Sequence, residues 1–385
     1  MNDYYFSEEH ELFRQGLRSF LAREVLPYID DWEAAGSIPR EIWKKFGDMG
    51  YFGLMYPERY GGSDADFFFS VILLEELQQV NSAGFAAAIT AHPFLALTHI
   101  QAQASEDLKS HYLKKGIAGE LFGGLAITEP GTGSDVANIS TKAIKKDGHY
   151  VINGAKTFIT NGVLSDFLVV AVKTDPEAKS GGISMIIVDR DSPGLHATAL
   201  KKLGWHASDT AELSFDDVRV PESQLLGQEN MGFYYIMQHF ALERLILAIG
   251  SIGAAEAAIA YTLQYMAERQ AFGRPINRFQ VLRHKIAQLC SEVEMNKQFN
   301  YYLSRCFDDG KALVKEAAMA KLLSTKLCDR VMYDCLQCFG GYGYMEEYKM
   351  ARMFRDSRLG TIGGGTSEIM CEIIAKGVID GVGYV

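Results

Sequence analysis

LAITEPGTGSD, residues 125–135, and GAKTFITNG, residues 154–162, are the two stretches around which this sequence is organised. The first runs from an apolar, strand-like piece into a turn rich in Gly, Ser and Thr, which can direct backbone N–H groups and hydroxyls at a polar ligand. The second, if it is a strand, is expected to place Phe158 and Thr160 on opposite faces. A flat ring and a hydroxyl suit a planar heteroaromatic cofactor, which needs a stacking surface and a partner for a ring nitrogen. Taken alone, each stretch is more often a plain structural turn.

The periodicity of the apolar residues divides the chain into three regions, 1–120, 121–230 and 231–385. The first region is helical in pattern, the second alternates in short β-type runs between turn residues, and the third carries long helical patterns. Runs of one type followed by runs of the other indicate an α+β fold, with a small barrel or sandwich in the middle and a helical bundle at the end.

Turn dipeptides and apolar runs give the individual elements. Asp147-Gly148 and Asn153-Gly154 are dipeptides typical of hairpin turns. Helices are expected at 67–80, 85–102, 231–269, 279–307 and 311–339, and strands at 167–173, 183–189 and 212–220.

Composition and motifs exclude several classes of protein. The net charge of −10 comes without a basic stripe, which argues against nucleic acid. The apolar stretch 85–100 is broken by polar residues and Pro93, so no membrane span is expected. No Walker or G-x-G-x-x-G motif occurs, and the histidines and cysteines lack metal-ligand spacing, so no metal is expected. The acidic start, MNDYYFSEEHEL, is unlike a signal or transit peptide and favours a cytoplasmic location, with the mitochondrial matrix open only if a presequence was removed. The six cysteines are expected to be buried thiols in a reducing compartment.

The two central stretches together resemble the flavin-binding signature of the acyl-CoA dehydrogenase family. The resemblance continues, in the family's order and spacing, through SDTAELSFDDVRVP (208–221), ERQAFGRPINRFQ (268–280), QCFGGYGY (337–344) and GGGTSEIM (363–370). It therefore covers nearly the whole chain. It implies an N-terminal α-helical domain, a middle β-barrel domain and a C-terminal four-helix bundle.

The resemblance also implies how FAD is bound. Phe158 would flank the isoalloxazine ring, in a position where many family members have Trp, and Thr160 would reach its N5 edge. Arg269 and its companions in the bundle would serve the FAD of a neighbouring subunit, which implies a homotetramer. The full implied set of FAD contacts is Leu125, Ile127, Thr128, Ser134, Phe158, Thr160, Arg269, Phe272, Gln280, Gln337, Gly340, Gly341, Thr366 and Glu368.

Glu243 is the candidate catalytic base. It lies in the strongly apolar segment ALERLILAIG (241–250), where burial raises the pKa of a carboxyl and so tunes a general base. From the sequence alone, a structural pair with Arg244 is the other interpretation. Many family members carry the catalytic Glu in the C-terminal segment, where this chain has Gly364. The resemblance to the long-chain and isovaleryl branch, which carries it on the bundle helix, assigns the role to Glu243.

The function implied is FAD-dependent α,β-dehydrogenation of an acyl-CoA thioester to a trans-2-enoyl-CoA, with electrons passed to an electron-transfer flavoprotein. A medium to long acyl chain is expected because the small residues Ala86, Ala87, Ala88 and Ala91 would leave depth in the pocket. The implied substrate contacts are Ser134, Tyr234, Leu242, Arg244, Gly364 and Gly365. An acyl-CoA oxidase-like enzyme and a catalytically silent flavoprotein that acts as a binding partner are the alternatives.

Overall fold

The computed structural model describes residues 4–382, and its N-terminal region is a set of helices, as expected. Side-chain caps fix several helix starts: the Ser7 hydroxyl accepts from the His10 N–H, and the Asp66 carboxylate accepts from the Phe68 N–H. The helices are α1 (Glu8–Glu24), α2 (Ile29–Ala35), α3 (Arg40–Asp48), α4 (Phe67–Gln78), α5 (Ala83–Ala91), α6 (Leu97–Gln103), α7 (Glu106–Leu108) and α8 (Lys114–Ile117).

The helix expected at 85–102 is interrupted. Between α5 and α6, His92–Ala96 form a π-helical segment that begins next to Pro93. Proline has no N–H to donate to the preceding turn, and a local π-turn absorbs that defect without ending the helical path.

A mixed sheet follows, with strand order β6-β7-β3-β2-β4-β5-β8 and with β1 parallel to β4. The alternating residues that point inward from β3, β4, β5 and β7 share one apolar core, as in the interior of a small barrel. The strands are β1 (Gly123–Ala126), β2 (Lys142–Lys146), β3 (His149–Thr160), β4 (Phe167–Lys173), β5 (Ile183–Asp189), β6 (Leu195–Ala199), β7 (Thr210–Pro221) and β8 (Leu225–Leu226).

The two hairpin predictions have different outcomes. Asp147-Gly148 forms the turn between β2 and β3, as expected. Asn153-Gly154 forms no turn and lies inside β3, where the pairing with β7 shifts register between Ile152 and Gly154. The hairpin prediction there was wrong because a glycine within a strand can also serve a β-bulge.

The C-terminal region consists of long helices packed on one another. The longest, α9, extends over 37 residues and contacts α4, α10 and α11. A short hairpin of β9 (Gln270–Ala271) and β10 (Arg274–Pro275) separates α9 from α10. The helices are α9 (Gly232–Glu268), α10 (Gln280–Asp308), α11 (Val314–Phe339), α12 (Lys349–Ser357) and α13 (Ser367–Val378).

Two helical stretches, Ala83–Gln103 and Gly232–Glu268, are long and apolar enough to cross a membrane by length and composition. However, 78% and 67% of their most apolar windows are buried inside the protein. Core helices pass the same test, so these two stretches are weak evidence for a membrane span.

Four of the six cysteines are buried, while Cys290 and Cys371 are exposed, contrary to the expectation for those two. All six are free thiols.

Candidate active site

The two central stretches lie side by side. β1 carries Leu125 and ends just before Ile127 and Thr128, while the second stretch forms the end of β3. The Thr157 N–H donates to the Thr128 carbonyl at 2.9 Å, which joins the glycine-rich turn to β3 directly. Leu125 and Thr128 are half-buried, Ile127 is buried, and Ser134 is exposed. The hydrogen bond to β3 therefore fixes the position of the turn that carries these hydroxyls.

A buried ion pair supports this turn from below. The Lys156 ammonium donates to the Glu129 carboxylate at 2.8 Å and to the Ile127 carbonyl at 2.9 Å. The same carboxylate accepts from the N–H groups of Ser140 and Thr141, at 2.6 and 2.9 Å. This pair was not predicted from the sequence, although one Lys and one Glu inside otherwise apolar stretches of an expected sheet were the available signal.

Phe158 and Thr160 stand at the end of β3. Two residues apart in a strand, with buried Ile159 between them, they lie on the same side, so the expectation of opposite faces was wrong. Phe158 has φ +60° at a register shift of the β3–β7 pairing and keeps 70% of its side chain exposed. A left-handed, exposed phenylalanine is unusual, and it offers a flat apolar surface next to the half-buried Thr160.

Glu243 lies near the start of α9 and is half-buried. Burial raises the pKa of its carboxyl, and the charges of Arg244 and Lys321 oppose that effect. No hydrogen bond to Glu243 is present within residues 4–382, so its carboxylate is not neutralised by a direct donor there.

Gly364 and Gly365, in the turn before α13, lie next to Glu243. Their φ angles are +61° and +93°. A Cβ added to Gly364 would stand 3.6 Å from the Glu243 carboxylate and would overlap the Leu247 side chain, one turn further along α9. The C-terminal glycine turn and the bundle-helix carboxylate therefore meet at one point, where only a glycine fits.

Lys321 completes this cluster, although it was not predicted from the sequence. It lies on α11 without solvent exposure, and its ammonium donates to the Gly365 carbonyl at 2.5 Å. Burial lowers the pKa of Lys321 to about 8. A lone lysine in the apolar run AAMAKLLS (317–324) was the signal that could have identified it.

The remaining expected substrate contacts are less uniform. Tyr234 is 55% exposed on the first turn of α9, and Arg244 is buried with its guanidinium 5.3 Å from the Phe240 ring centroid. Leu242 is buried in the apolar core shared with the N-terminal helices, so it does not face the same space as Glu243.

A second site lies at the far end of α9. Arg269, Gln337, Gly340 and Gly341 line one cleft of about 520 Å³. The Arg269 guanidinium is 5.4 Å from the Tyr342 ring centroid and stays exposed. The structure thus brings together four of the residues expected to hold a dinucleotide.

The other expected FAD contacts surround these two sites. Phe272 is 95% exposed on the β9–β10 hairpin with φ +49°, and Gln280 is exposed at the start of α10. The Thr366 hydroxyl caps α13 by accepting from the Ile369 N–H, and Glu368 is exposed on the first turn of that helix. A hydrogen bond with its own backbone N–H, and then one with the Thr366 side chain, lower the pKa of Glu368.

Comparison with known proteins identifies the family of this chain. Three family models match nearly the whole chain: the acyl-CoA dehydrogenase N-terminal domain at residues 7–120, the middle domain at 124–218 and the C-terminal domain at 230–379. The chain belongs to the acyl-CoA dehydrogenase family.

Relatives with established names include long-chain and isovaleryl-CoA dehydrogenases. The chain is 39% identical to the mitochondrial long-chain specific acyl-CoA dehydrogenase of Sus scrofa, over 97% of this chain and 87% of that protein. It is 37% identical to the mitochondrial isovaleryl-CoA dehydrogenase of Pongo abelii, over 96% and 88%. A crystal structure of an acyl-CoA dehydrogenase from Geobacillus kaustophilus, 42% identical, superimposes with a TM-score of 0.94 over 97% of this chain and 99% of that one.

This acyl-CoA dehydrogenase is therefore an FAD-dependent enzyme that dehydrogenates acyl-CoA, as the resemblance implied. The residues present fit FAD. The exposed ring of Phe158 and the hydroxyls of Thr128 and Thr160 suit a planar ring with polar edges. The exposed guanidinium of Arg269 in a glycine-lined cleft suits a pyrophosphate.

Proposed function

We propose that this acyl-CoA dehydrogenase uses Glu243 as the base that removes the α-proton of a medium- to long-chain acyl-CoA thioester. The product is the trans-2-enoyl-CoA, and the electrons leave to an electron-transfer flavoprotein. The observation that carries the assignment is the meeting of Glu243 with the Gly364 turn, where a Cβ would stand 3.6 Å from the carboxylate. The carboxylate of Glu243 thus occupies the space to which a base on the C-terminal segment would otherwise reach.

The electrostatics of Glu243 suit proton abstraction at neutral pH. Burial raises the pKa of its carboxyl toward the working range of a general base, while Arg244 and then Lys321 keep it ionisable. The proton moves from the substrate α-carbon to a carboxylate oxygen of Glu243. The chemistry that FAD supplies when bound is acceptance of the hydride from the β-carbon.

Negative charge develops on the thioester oxygen as the α-proton leaves, and it needs donors aimed at that oxygen. We assign a backbone N–H near Gly364 to this role. The positive φ angles of Gly364 and Gly365 bring the main chain close to Glu243, which no larger residue would permit beside Leu247. Ser134, Tyr234, Arg244 and Gly365 remain the proposed further substrate contacts, whereas the burial of Leu242 argues against it.

We also propose that FAD is shared between subunits of a homotetramer. Glu243 and Arg269 lie about 40 Å apart along α9, which is longer than one dinucleotide. Leu125, Ile127, Thr128, Ser134, Phe158 and Thr160 would hold the flavin end from one subunit, while Arg269, Phe272, Gln280, Gln337, Gly340 and Gly341 would serve the dinucleotide of a neighbour. Thr366 and Glu368 would contact the adenine end. The 95% exposure of Phe272 in the isolated chain supports such a contact.

The preference for a medium to long acyl chain has less support from these alanines than the sequence suggested. Ala86, Ala88 and Ala91 are buried in the helical core, and only Ala87 among these alanines is half-exposed. The named relatives include both long-chain and isovaleryl enzymes. Those relatives are mitochondrial, whereas a cytoplasmic location for this chain stays a prediction. The division into domains 1–120, 121–230 and 231–385 also stays a prediction.

Substitution of Glu243 by Gln tests the assignment. The amide keeps the shape of the carboxylate and removes its basicity, so reduction of bound FAD by acyl-CoA falls by about 10²–10⁴-fold in stopped-flow measurements. FAD content stays at the wild-type level because the flavin-binding stretches lie elsewhere. Glu368→Gln is the control, with weaker FAD binding and near-normal reduction; the reverse pattern would move the base to the C-terminal segment.

The same assay, run over a panel of acyl-CoA thioesters, tests the substrate. Medium and long chains are expected to reduce the flavin fastest, and a maximum at butyryl- or isovaleryl-CoA would contradict that expectation. Peroxide released on reoxidation in air would favour the oxidase-like alternative, and a flavin that no acyl-CoA reduces would favour the silent flavoprotein.

A further inference from the structure

Lys321 is a fully buried lysine, and its contact with the glycine turn has no role in the chemistry described so far. Its side chain lies on α11 within an apolar stretch and has no solvent exposure. An unpaired buried ammonium is costly, and proteins retain one only where a partner or a function requires it. Its one hydrogen bond within the described residues goes to the Gly365 carbonyl, at 2.5 Å.

This hydrogen bond connects α11 to the turn that covers Glu243. Gly364 and Gly365 both have positive φ angles. Glycine has more backbone freedom in the unfolded chain than any other residue, so ordering these two costs the most conformational entropy. A turn of this kind needs an external anchor if it is to hold one conformation. The Lys321 ammonium provides that anchor, one residue away from the point where Gly364 faces the Glu243 carboxylate.

The charges around Glu243 come from three helices. Arg244 lies on the same helix, Lys321 lies on α11 and Glu368 lies on α13. Arg244 and Lys321 both favour the ionised form of Glu243. Glu368, in turn, favours the charged form of Lys321, while Arg244 disfavours it.

We propose that Lys321 is a positioning residue of the active site: its ammonium anchors the glycine turn over Glu243 and is one of the positive charges around that carboxylate. The proposal rests on the assignment of Glu243 as the base. Lys321 itself touches neither the reacting carbon atoms nor the proton that moves.

The test measures the pH dependence of FAD reduction by acyl-CoA in the holoenzyme with Lys321→Met, which keeps the length of the side chain and removes its charge. Loss of a nearby positive charge raises the pKa of Glu243, so the acid limb of the rate profile moves to higher pH. A residue that served only packing would lower the rate equally at every pH. An acid limb at its wild-type position in Lys321→Met overturns the proposal.

Lys321→Arg keeps the charge and tests the same point in a variant that retains the anchor. Its acid limb is expected near the wild-type position. In addition, the wild type is expected to show a change in rate near pH 8, where Lys321 loses its proton, and this change should be absent in Lys321→Arg because a guanidinium stays charged there. Should Lys321→Met fail to fold, a change near pH 8 that persists in Lys321→Arg contradicts the proposal.

Lys297→Met is the matched control. Lys297 is also a largely buried lysine that pairs with α9, through Glu256, but that contact lies about 20 Å along the helix from Glu243. Its acid limb should match the wild type. Glu243→Gln separates the assignment of the base from the role of Lys321. Normal FAD reduction in Glu243→Gln refutes Glu243 as the base. A strong defect in Glu243→Gln together with an unshifted acid limb in Lys321→Met refutes only the role of Lys321.

Discussion

Glu129 and Glu243 are both carboxylates inside this enzyme, and their surroundings are opposite. Glu129 accepts from Lys156, Ser140 and Thr141, and these interactions outweigh its burial and lower its pKa to about 2. Glu243 has charges nearby but no hydrogen-bond donor within residues 4–382, and burial raises its pKa. The comparison teaches that hydrogen-bond saturation makes a buried carboxylate structural, while its absence leaves a carboxylate able to take a proton.

The Glu129–Lys156 pair also shows that a buried ion pair is a poor measure of stability. The lowered pKa of Glu129 corresponds to stability that is present above its unfolded-state value and is lost as the pH falls toward 2. Burial lowers the pKa of Lys156 to about 8, which opposes folding while this lysine is charged, below pH 8. The two effects offset each other, so the pair is better explained by the position that it gives to the cofactor-binding turn.

The largest effect on stability is expected from Glu129→Gln. This change leaves the Lys156 charge buried without its partner, which costs about 3–5 kcal/mol in the free energy of unfolding. Glu243→Gln, by contrast, removes a poorly compensated buried charge, so the free energy of unfolding should not fall. Chemical denaturation of the FAD-loaded protein, followed by circular dichroism, gives both values.

A double variant tests whether the unpaired Lys156 charge causes the loss of stability. In the double variant Glu129→Gln with Lys156→Met, no buried charge remains, and most of the lost stability should return. If Glu129→Gln were no more destabilising than Glu243→Gln, the contrast between the two carboxylates would be refuted.

Relocation of the base is the next prediction. Glu243→Gly with Gly364→Glu moves the carboxylate to the C-terminal position. The new side chain would overlap Leu247 and would hold a non-glycine residue at φ +61°. We therefore expect no recovery over Glu243→Gly alone. Adding Leu247→Ala should raise the rate of FAD reduction at least about tenfold by removing the overlap, and recovery without that third change would show that the turn is not confined as described.

The smallest effect is expected at the far end of α9. Arg269→Ala removes a charged donor from the cleft and should weaken FAD binding about tenfold, as measured by release of flavin fluorescence on dilution. Arg274→Ala is the control, since its guanidinium packs on the Phe279 ring at 4.3 Å rather than on the cleft. Light scattering gives the assembly state alongside, and a monomer that retained FAD as well as the wild type would contradict sharing between subunits.

Much of the architecture could be predicted because its signals are local. The long helices of the bundle were placed within three residues of their ends, as with 279–307 against Gln280–Asp308. Short apolar runs between turn residues identified β4 and β5 directly. The turn at Asn153-Gly154 was misplaced because a glycine needed for a bulge and a glycine needed for a hairpin look the same in sequence.

Active-site residues were predictable from the sequence only where they belong to a family motif. Glu243 and Gly364 lie 121 positions apart in the sequence, and family motifs connected them before geometry did. Lys321, Glu129 and Lys156 were missed because their roles arise from burial and from partners distant in sequence. A charged residue alone in an apolar run indicates that such a partner exists, but it does not say where.

α9 imposes a constraint on how this enzyme can change over evolutionary time. Glu243 lies about a third of the way along α9, and Arg269 directly follows its last residue, with uninterrupted helix between them. A single inserted residue between them would turn one end by about 100° relative to the other and shift it by about 1.5 Å. Substitutions along α9 can tune either end separately, whereas insertions and deletions disturb both at once. The length of this helix, more than the identity of most of its residues, is what descendants of this chain must preserve.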